Sequence, residues 1–517
     1  MKGSRLSRWL LLRRPRRRCL QHYGLWVDGR EVEAASWGSV VNPATGEVVY
    51  TTGLASVEDV DAAVASAKAA QVEWEAAGAR TRGRVLRAAA QKLRDKLPEL
   101  IEVETRATGR PIREYRAQLG RVPEWLEYHA SVAESSEGTV PPFADAVDHV
   151  ALVRRRALGV CGLVSAFNHP LLLATKKVSV ALATGNTCVV KPPEVAPASV
   201  VELAKCLSAA GAPPGVCNVA TGLGAIAATR LADHDDVAKI DFTGGTRVGR
   251  ELGAIVGAKA KHYCAELGGN APVLVFDDVR SVREAVDGVA FAAFVASGQT
   301  CVSAKRILVH ADVFDDFAAR LAAKAGGLRL GDPMDPTTHV GPLVTRAARD
   351  AVAAQVGQAY AEGAVPIAGG AIPDKTRCAL TDVGSFFEPT VLTSVRPSFR
   401  CFQEEIFGPV VSLVPFRDEA EAVALANDNQ YALGAAIWTS DVKRTHRLMS
   451  KLHAGIIWCG THHRNSPDAP WGGFGHSGIG RENGLDAHRE YTAPYTMIIR
   501  TADEPEDWFA GGSARYG

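Results

Sequence analysis

The run Val237-Ala238-Lys239-Ile240-Asp241-Phe242, followed at once by Thr243-Gly244-Gly245-Thr246-Arg247-Val248-Gly249, decides the fold. Its first six residues read as a β-strand and those after Gly245 as a helix, so the glycines stand at a strand-to-helix turn. There they let the backbone and the helix N-terminus approach a phosphate. The spacing is not G-x-G-x-x-G, and a turn of this kind can also serve only to redirect the chain. One unit earlier, Gly222-Leu223-Gly224-Ala225-Ile226-Ala227 does have that spacing, with Ala in the last place.

The same alternation extends in both directions. Upstream, β-like runs from Val160 to Phe167, Thr187 to Lys191 and around Val216 to Ala220 alternate with helical patterns from Leu171 to Ala183 and Ala198 to Ala209. Downstream, a second series begins at Ala271 to Phe276. It passes through a helix over 281–296, a strand from Arg306 to Val309 and a helix from Val313 to Ala325, and continues to about residue 455. Strands alternating with helices at this spacing give an α/β fold with parallel sheets under covering helices, the usual nucleotide-binding architecture. In front of both series, Ser56 is an N-cap for a helix reaching Ala77, and a second amphipathic helix over 82–107 is expected to break near Pro98. Two stretches rich in β-formers, His149 to Arg156 and Arg489 to Arg500, lie outside the alternation. Each reads either as an edge strand shared with another chain or as part of a hairpin within this one.

At 517 residues the chain is long enough for two or three domains. Its 58 basic and 57 acidic residues leave a net charge of +1, so no global field recruits nucleic acid or an anionic membrane. The ten cysteines stand singly, without CxxC or metal-ligand spacing, which favours a reducing compartment and no metal. Residues 1–22 carry Arg5, Arg8, Arg13, Arg14, Arg16, Arg17 and Arg18 around a short apolar run and no acid. This reads as a disordered basic arm, with an organellar transit peptide or an over-extended start as alternatives. No stretch approaches 18 unbroken apolar residues, and the expected location is the cytoplasm.

Chemistry concentrates in a few places. Gly298-Gln299-Thr300-Cys301 and Glu266-Leu267-Gly268-Gly269 offer a thiol and a carboxylate in glycine-bearing contexts, a pair suited to covalent acyl chemistry. Lys191-Pro192-Pro193-Glu194 ends a strand where ligands gather in open α/β sheets. A carboxylate there can accept from both ribose hydroxyls of NAD and would repel the extra phosphate of NADP; the other reading is a solvated loop pair. Asn168, in Ala166-Phe167-Asn168-His169-Pro170, presents an amide that can hold a developing oxyanion or merely shape a turn.

These segments in this order resemble the aldehyde dehydrogenase superfamily from about Leu25 to Arg500. So do Asn42-Pro43-Ala44-Thr45-Gly46, Glu404-Glu405-Ile406-Phe407-Gly408-Pro409-Val410, and Pro470-Trp471-Gly472-Gly473-Phe474 with Ser477-Gly478-Ile479-Gly480-Arg481-Glu482. The resemblance implies that Cys301 is the nucleophile forming a thiohemiacetal, and that Asn168 with the Cys301 backbone N–H forms the oxyanion hole. It implies that Glu266 activates the water that hydrolyses the thioester, and that Lys177 lies near the cofactor and a proton path. The cofactor contacts it implies are Phe167, Lys191, Glu194, Gly224, Phe242, Gly244, Gly245, Thr246, Val248, Gly249, Leu267, Glu405 and Phe407, with NAD expected and NADP possible. It further implies a doubly wound, Rossmann-like cofactor domain (23–139 and 159–268), an α/β catalytic domain (269–455) and a small β oligomerisation element (140–158 and 486–502). Residues 456–485 form the substrate entrance, and the partners are an aldehyde and further copies of the chain in a homodimer or homotetramer.

The alternatives are a CoA-acylating semialdehyde dehydrogenase, which typically lacks the base supplied by Glu266, and a catalytically silent relative. Against the common pattern, Phe167 replaces a Trp, His169 another aromatic, and Gly245 a frequent Ser. Ile457-Trp458-Cys459-Gly460 lacks a frequent Asn, and Gly475-His476 stands where Lys and another residue are common. The loop Thr461-His462-His463-Arg464-Asn465-Ser466 falls at the expected substrate entrance. There Arg464 or a neighbouring His is expected either to touch a polar or carboxylate-bearing aldehyde tail or to be solvated.

Overall fold

The computed structural model describes residues 21–142, 149–503 and Phe509. The basic arm expected over 1–22 lies outside this range up to residue 20, as does the part of the expected oligomerisation element at 143–148.

Two large sheets organise the chain. The first has eight strands, and its parallel centre runs in the order His262–Glu266, Val237–Thr243, Val160–Val164, Thr187–Lys191, Cys217–Val219, with antiparallel strands at both edges. Val160–Val164 and Thr187–Lys191 are buried at every residue, as strands must be when helices cover both faces. Alternate side chains enter different cores: Leu163, Cys188 and Val190 on one face, Val164, Val189 and Ile240 on the other.

The second sheet has seven strands, in the order Val365–Ala368, Thr390–Thr393, Val410–Phe416, Ala304–His310, Ala271–Val275, Gly434–Trp438, Ile456–Cys459, all parallel except the first. Val273, Ile307 and Leu413 pack on one side of it, Leu274, Leu308 and Val414 on the other.

The front helices show what local signals settle and what they do not. Ser56 caps Val57–Ala76 in a reciprocal box: its hydroxyl accepts from the Asp59 N–H at 3.1 Å, and its own N–H donates to the Asp59 carboxylate at 2.9 Å. The next helix, Gly78–Thr108, does not break at Pro98 as expected. An interior proline costs about 3 kcal/mol. Here Leu93, Leu97 and Leu100 are buried on either side of it, and the helix packs against Pro123–Glu134 and Ala198–Ala209, so tertiary burial outweighs the local penalty.

His149–Ala157 and Thr492–Arg500 pair antiparallel along nine residues as a two-stranded sheet, which places the two β-rich stretches together within one chain. The second begins three residues later than expected, because Arg489 belongs to the last turn of the helix Gly484–Glu490. Among the described residues no helix is long and apolar enough to cross a membrane.

Candidate active site

The carboxyl ends of the parallel strands in the first sheet carry most of the singled-out residues. Asn168 follows Val160–Val164, Glu194 follows Thr187–Lys191, the Gly244-Gly245 turn follows Val237–Thr243, and Glu266 ends His262–Glu266. Ligands gather at this edge in open α/β sheets. The second sheet contributes the approaches to two of its strands, Cys301 before Ala304–His310 and Glu405 with Phe407 before Val410–Phe416. The two sets meet where the Gly269 N–H donates to Glu405 Oε1 at 3.1 Å; next to it the Gly268 N–H donates to Thr246 Oγ1 at 3.3 Å within the first set.

Cys301 hangs from a loop that the chain adopts only under constraint. After the helix Val282–Phe294, Ala296, Ser297 and Gly298 all take left-handed backbone angles, with φ of +53°, +54° and +68°. Each non-glycine residue there costs roughly 1–2 kcal/mol. Gly298 admits no side chain, since a Cβ would stand 2.1 Å from the Gly408 carbonyl oxygen. Polar anchors hold the turn: the Ala296 N–H donates to Glu114 at 2.9 Å, Ser297 Oγ donates to the Gly341 carbonyl at 2.8 Å, and Gln299 Oε1 accepts from the Val344 N–H at 3.0 Å. Buried Lys305 donates to the Gly298 carbonyl at 2.9 Å and to the Gly408 carbonyl at 2.6 Å, joining the Cys301 loop to the Glu405–Phe407 loop.

Cys301 is half-buried. Burial first, then the Glu266 and Glu405 carboxylates, push its thiol up to about 12. Glu266 is fully buried, and neither carboxyl oxygen has a hydrogen-bond partner among the described residues. Desolvation, seconded by the charge on Glu482, raises its carboxyl to about 8. Below that pH Glu266 is neutral, so its push on the thiol falls away. Asn168 is buried with Oδ1 unpartnered among the described residues.

Lys177, expected near a proton path, belongs to a second polar cluster whose other members the sequence did not single out. Lys177 Nζ is fully buried between Asp241, to which it donates a short hydrogen bond, and Glu482 Oε1 at 2.6 Å. Lys176 Nζ pairs with Glu482 Oε2 at 2.5 Å and lies over the Trp471 ring, 5.1 Å from its centroid. Tyr491 donates to Asp241 Oδ2 at 2.6 Å. Burial opposes charge on Lys177, yet Asp241 and Glu482 hold its ammonium above the usual range. Burial likewise opposes charge on Glu482, but the two lysines bring it down to about 2. Both lysines lower Glu266, and Lys176 also lowers the Cys301 thiol. Asp241 was the available clue: a charged residue between Ile240 and Phe242 on a central strand must find a buried partner.

The nucleotide side is relaxed by comparison. Gly245 caps the helix Thr246–Ala258 in an extended conformation, and a Cβ there would meet nothing within 4 Å, so the loss of the common Ser leaves free space. Gly244 and Gly249 are tight because Phe242 and Leu267 fill the floor of the turn: a Cβ at Gly249 would stand 2.3 Å from Leu267 Cδ2. Val248 lies on the partly open face of this helix, and Thr246 Oγ1 donates to the His476 carbonyl at 3.1 Å. Across the edge, Glu194 Oε1 accepts from the Gly224 N–H at 2.6 Å and pairs with Lys191 Nζ at 3.0 Å. Burial works against its charge, but Lys191 and the amide hold the carboxyl below its ordinary value. Gly224 opens a single π-type turn, Gly224–Ala228. Phe167 meets Phe407 edge-on with ring centroids 6.0 Å apart, and burial raises Glu405 to about 7 against the Gly269 amide and Lys305.

At the expected entrance, His462 Nε2 donates to the Val302 carbonyl at 2.7 Å, next to Cys301, and His463 Nε2 donates to the Ala292 carbonyl at 3.0 Å. Arg464 is exposed, and its backbone carbonyl accepts from Trp458 Nε1 at 3.1 Å. The arrangement brings a thiol, a buried unpartnered carboxyl and a side-chain amide to one edge, beside a glycine turn and an anionic carboxylate suited to a dinucleotide.

The family model described as aldehyde dehydrogenase family matches residues 26–497. Among solved structures, PnpE from Pseudomonas sp. WBC-3 is 37% identical, with 95% of this chain and 100% of that chain covered at a TM-score of 0.91. The betaine aldehyde dehydrogenase of Staphylococcus aureus, solved with NAD+, is 32% identical over 95% of this chain and 97% of that chain, also at 0.91. An NAD-dependent aldehyde dehydrogenase from Sinorhizobium meliloti is 33% identical over 95% and 96% at the same score. Matched over most of its length in sequence and in fold, this chain belongs to the aldehyde dehydrogenase family.

Proposed function

We propose that the protein oxidises an aldehyde to a carboxylic acid with NAD, water being the final acyl acceptor. The single observation that carries this reading is Glu266: a buried carboxyl with both oxygens unpartnered among the described residues, raised to about 8, whose charge acts on the Cys301 thiol. A group in that state is suited to moving a proton near neutral pH.

In this account Cys301 releases its thiol proton to water, its Sγ adds to the aldehyde carbon, and Asn168 Nδ2 with the Cys301 backbone N–H holds the resulting oxyanion. Bound NAD supplies the acceptor for the hydride. Glu266 takes the proton from the water that releases the acid from Cys301. That base is what favours water over coenzyme A as acyl acceptor. Lys177, Lys176 and Glu482 set the charge around Glu266.

The dinucleotide would be held by the Gly244–Gly249 turn over Phe242 and Leu267, by Lys191, Glu194 and Gly224 at the adenosine ribose, and by Glu405, Phe407 and Phe167 at the nicotinamide end. The orientation of Glu194, held anionic by Lys191, supports NAD over NADP. The cofactor domain comprises 23–139 and 159–268, and the catalytic domain 269–455. The paired strands His149–Ala157 and Thr492–Arg500, with Ile498 and Ile499 exposed, support a homodimer or homotetramer built on that element; the ten singly placed cysteines, suited to a reducing compartment, support the cytoplasm.

NADH formation over aliphatic, aromatic and hydroxylated aldehydes, repeated with NADP, tests the activity. Cys301→Ser is expected to lose nearly all oxidation while still binding NAD in calorimetry. Oxidation undiminished in Cys301→Ser would overturn the reading.

A further inference from the structure

Between the strands Ala271–Val275 and Ala304–His310 the register steps from Ala271 opposite Ala304 to Pro272 opposite Arg306, which leaves Lys305 as an extra residue without a partner on the neighbouring strand. Such a bulge is rare between parallel strands, and it re-aims a side chain. Here it turns Lys305 back under the loop that carries Cys301, while Arg306, next in the chain, donates to the carbonyls of Asn270, Leu425 and Ala426. Two consecutive buried cations are thus sent to different places. Lys305 Nζ donates to the Gly298 carbonyl at 2.9 Å and to the Gly408 carbonyl at 2.6 Å, at the contact where the two backbones leave no room for a Cβ on Gly298.

Bridging two carbonyls needs only a neutral donor. An ammonium buried with no carboxylate in contact, as Lys305 is among the described residues, is costly to keep. Burial draws it down to about 7, with the Glu405 charge opposing. What the charge adds is a field on Glu405, whose carboxyl it lowers against burial. Glu405 also acts on the Cys301 thiol and on Tyr431, and the Lys305 charge reaches His463 across the entrance, where it favours the neutral ring. The Glu405 segment is held from two further sides, by the Gly269 N–H on Oε1 and by Gln355 Nε2 on its backbone carbonyl at 3.1 Å.

Resting on the proposed aldehyde oxidation, we infer that Lys305 is a positioning residue that joins the nicotinamide end of the cofactor to the nucleophile: it clamps the loop carrying Cys301 onto the loop carrying Glu405, and its ammonium is the counter-charge for the carboxylate that receives the nicotinamide ribose. Gripping the cofactor and placing the thiol then depend on one side chain.

The test is a double-mutant cycle on NAD affinity, measured by calorimetry on the whole protein in the wild type, Lys305→Met, Glu405→Gln and the two combined. Lys305→Met is expected to weaken NAD by about fivefold or more at neutral pH, yet by less than about twofold when Glu405 is already Gln. At saturating NAD the first-turnover burst of NADH should slow by about tenfold or more in Lys305→Met, because the thiol is no longer held in place. Wild-type affinity should fall as pH drops through about 7, where Glu405 takes a proton, and that midpoint should rise in Lys305→Met, since the lysine lowers Glu405. A lysine that only braces the fold would cost the same affinity in both backgrounds. That additivity overturns the inference, as does an unchanged affinity or an unchanged burst in Lys305→Met. Should Lys305→Met not fold, Lys305→Gln takes its place in the cycle, and a wild-type NAD affinity that stays constant through about pH 7 overturns the inference by itself. Absence of NADH from every aldehyde in the wild type would instead defeat the underlying activity, whereas NADH with an additive cycle defeats only this assignment.

Discussion

Glu266 and Glu482 are both fully buried at the same edge of the first sheet, yet they are held in opposite states. Glu266 has no hydrogen-bond partner among the described residues and is raised to about 8; Glu482 faces two lysines and is brought down to about 2. Burial acts on both in the same direction, so partners alone make the difference. A carboxyl left without partners can exchange a proton at working pH, while one locked to two ammonium groups cannot. Glu482 is also part of the reason Glu266 is high, since its fixed negative charge opposes a second one nearby.

The comparison breaks most visibly at Glu266. Glu266→Gln should lower steady-state kcat by about 10²- to 10⁴-fold, the usual worth of a positioned base. A single-turnover burst of NADH should remain in stopped-flow, because hydride transfer precedes the step that needs the base. Loss of the burst as well would assign Glu266 to the earlier step.

Breaking the other side should cost stability first. Glu482→Gln leaves Lys176 without its carboxylate and Lys177 with Asp241 alone. Removing one partner of a buried pair costs about 3–5 kcal/mol. Chemical denaturation should show that loss, and an unchanged midpoint would mean that the cluster relaxes freely.

The two groups also predict pH dependences of opposite sign. Glu482, depressed to about 2, contributes stability that is complete above its unfolded pKa near 4.5 and is lost as pH falls toward 2. Glu266, raised to about 8, binds its proton in the folded state while the unfolded chain has released it, so its contribution falls as pH rises from about 4.5 to 8. Glu266→Gln should flatten that upper slope in stability-versus-pH curves, and wild-type kcat should climb toward a midpoint near 8 where thioester hydrolysis limits turnover.

The smallest effect sharpens the contrast. Lys176 lowers Glu266, so Lys176→Met should move the kcat midpoint to higher pH in a pH–rate profile, whereas a midpoint that stays or falls would remove Lys176 from the account.

What the sequence disclosed follows a pattern in these residues. The strand-turn-helix at Val237 to Gly249 and the Ser56 cap rest on local chemistry, and the structure has them within a residue or two of their expected places. Placing Cys301, Glu266 and Asn168 at one edge was expected through whole motifs resembling a known family. Lys176, Asp241, Glu482 and Tyr491 escaped because they lie far apart in the chain and meet only when the first sheet forms. The left-handed turn at Ala296 and Ser297 escaped for the opposite reason. Neither residue prefers that geometry, and the anchors imposing it, Glu114, Gly341 and Lys305, come from elsewhere. Pro98 misled because a local rule was overruled by packing on both sides of the helix.

The most direct test of the central claim is mass spectrometry of rapidly quenched Glu266→Gln after mixing with NAD and an aldehyde it oxidises. The account predicts an acyl group on Cys301 approaching one per chain, formed together with the NADH burst. An unmodified Cys301 alongside accumulating acid product would contradict it.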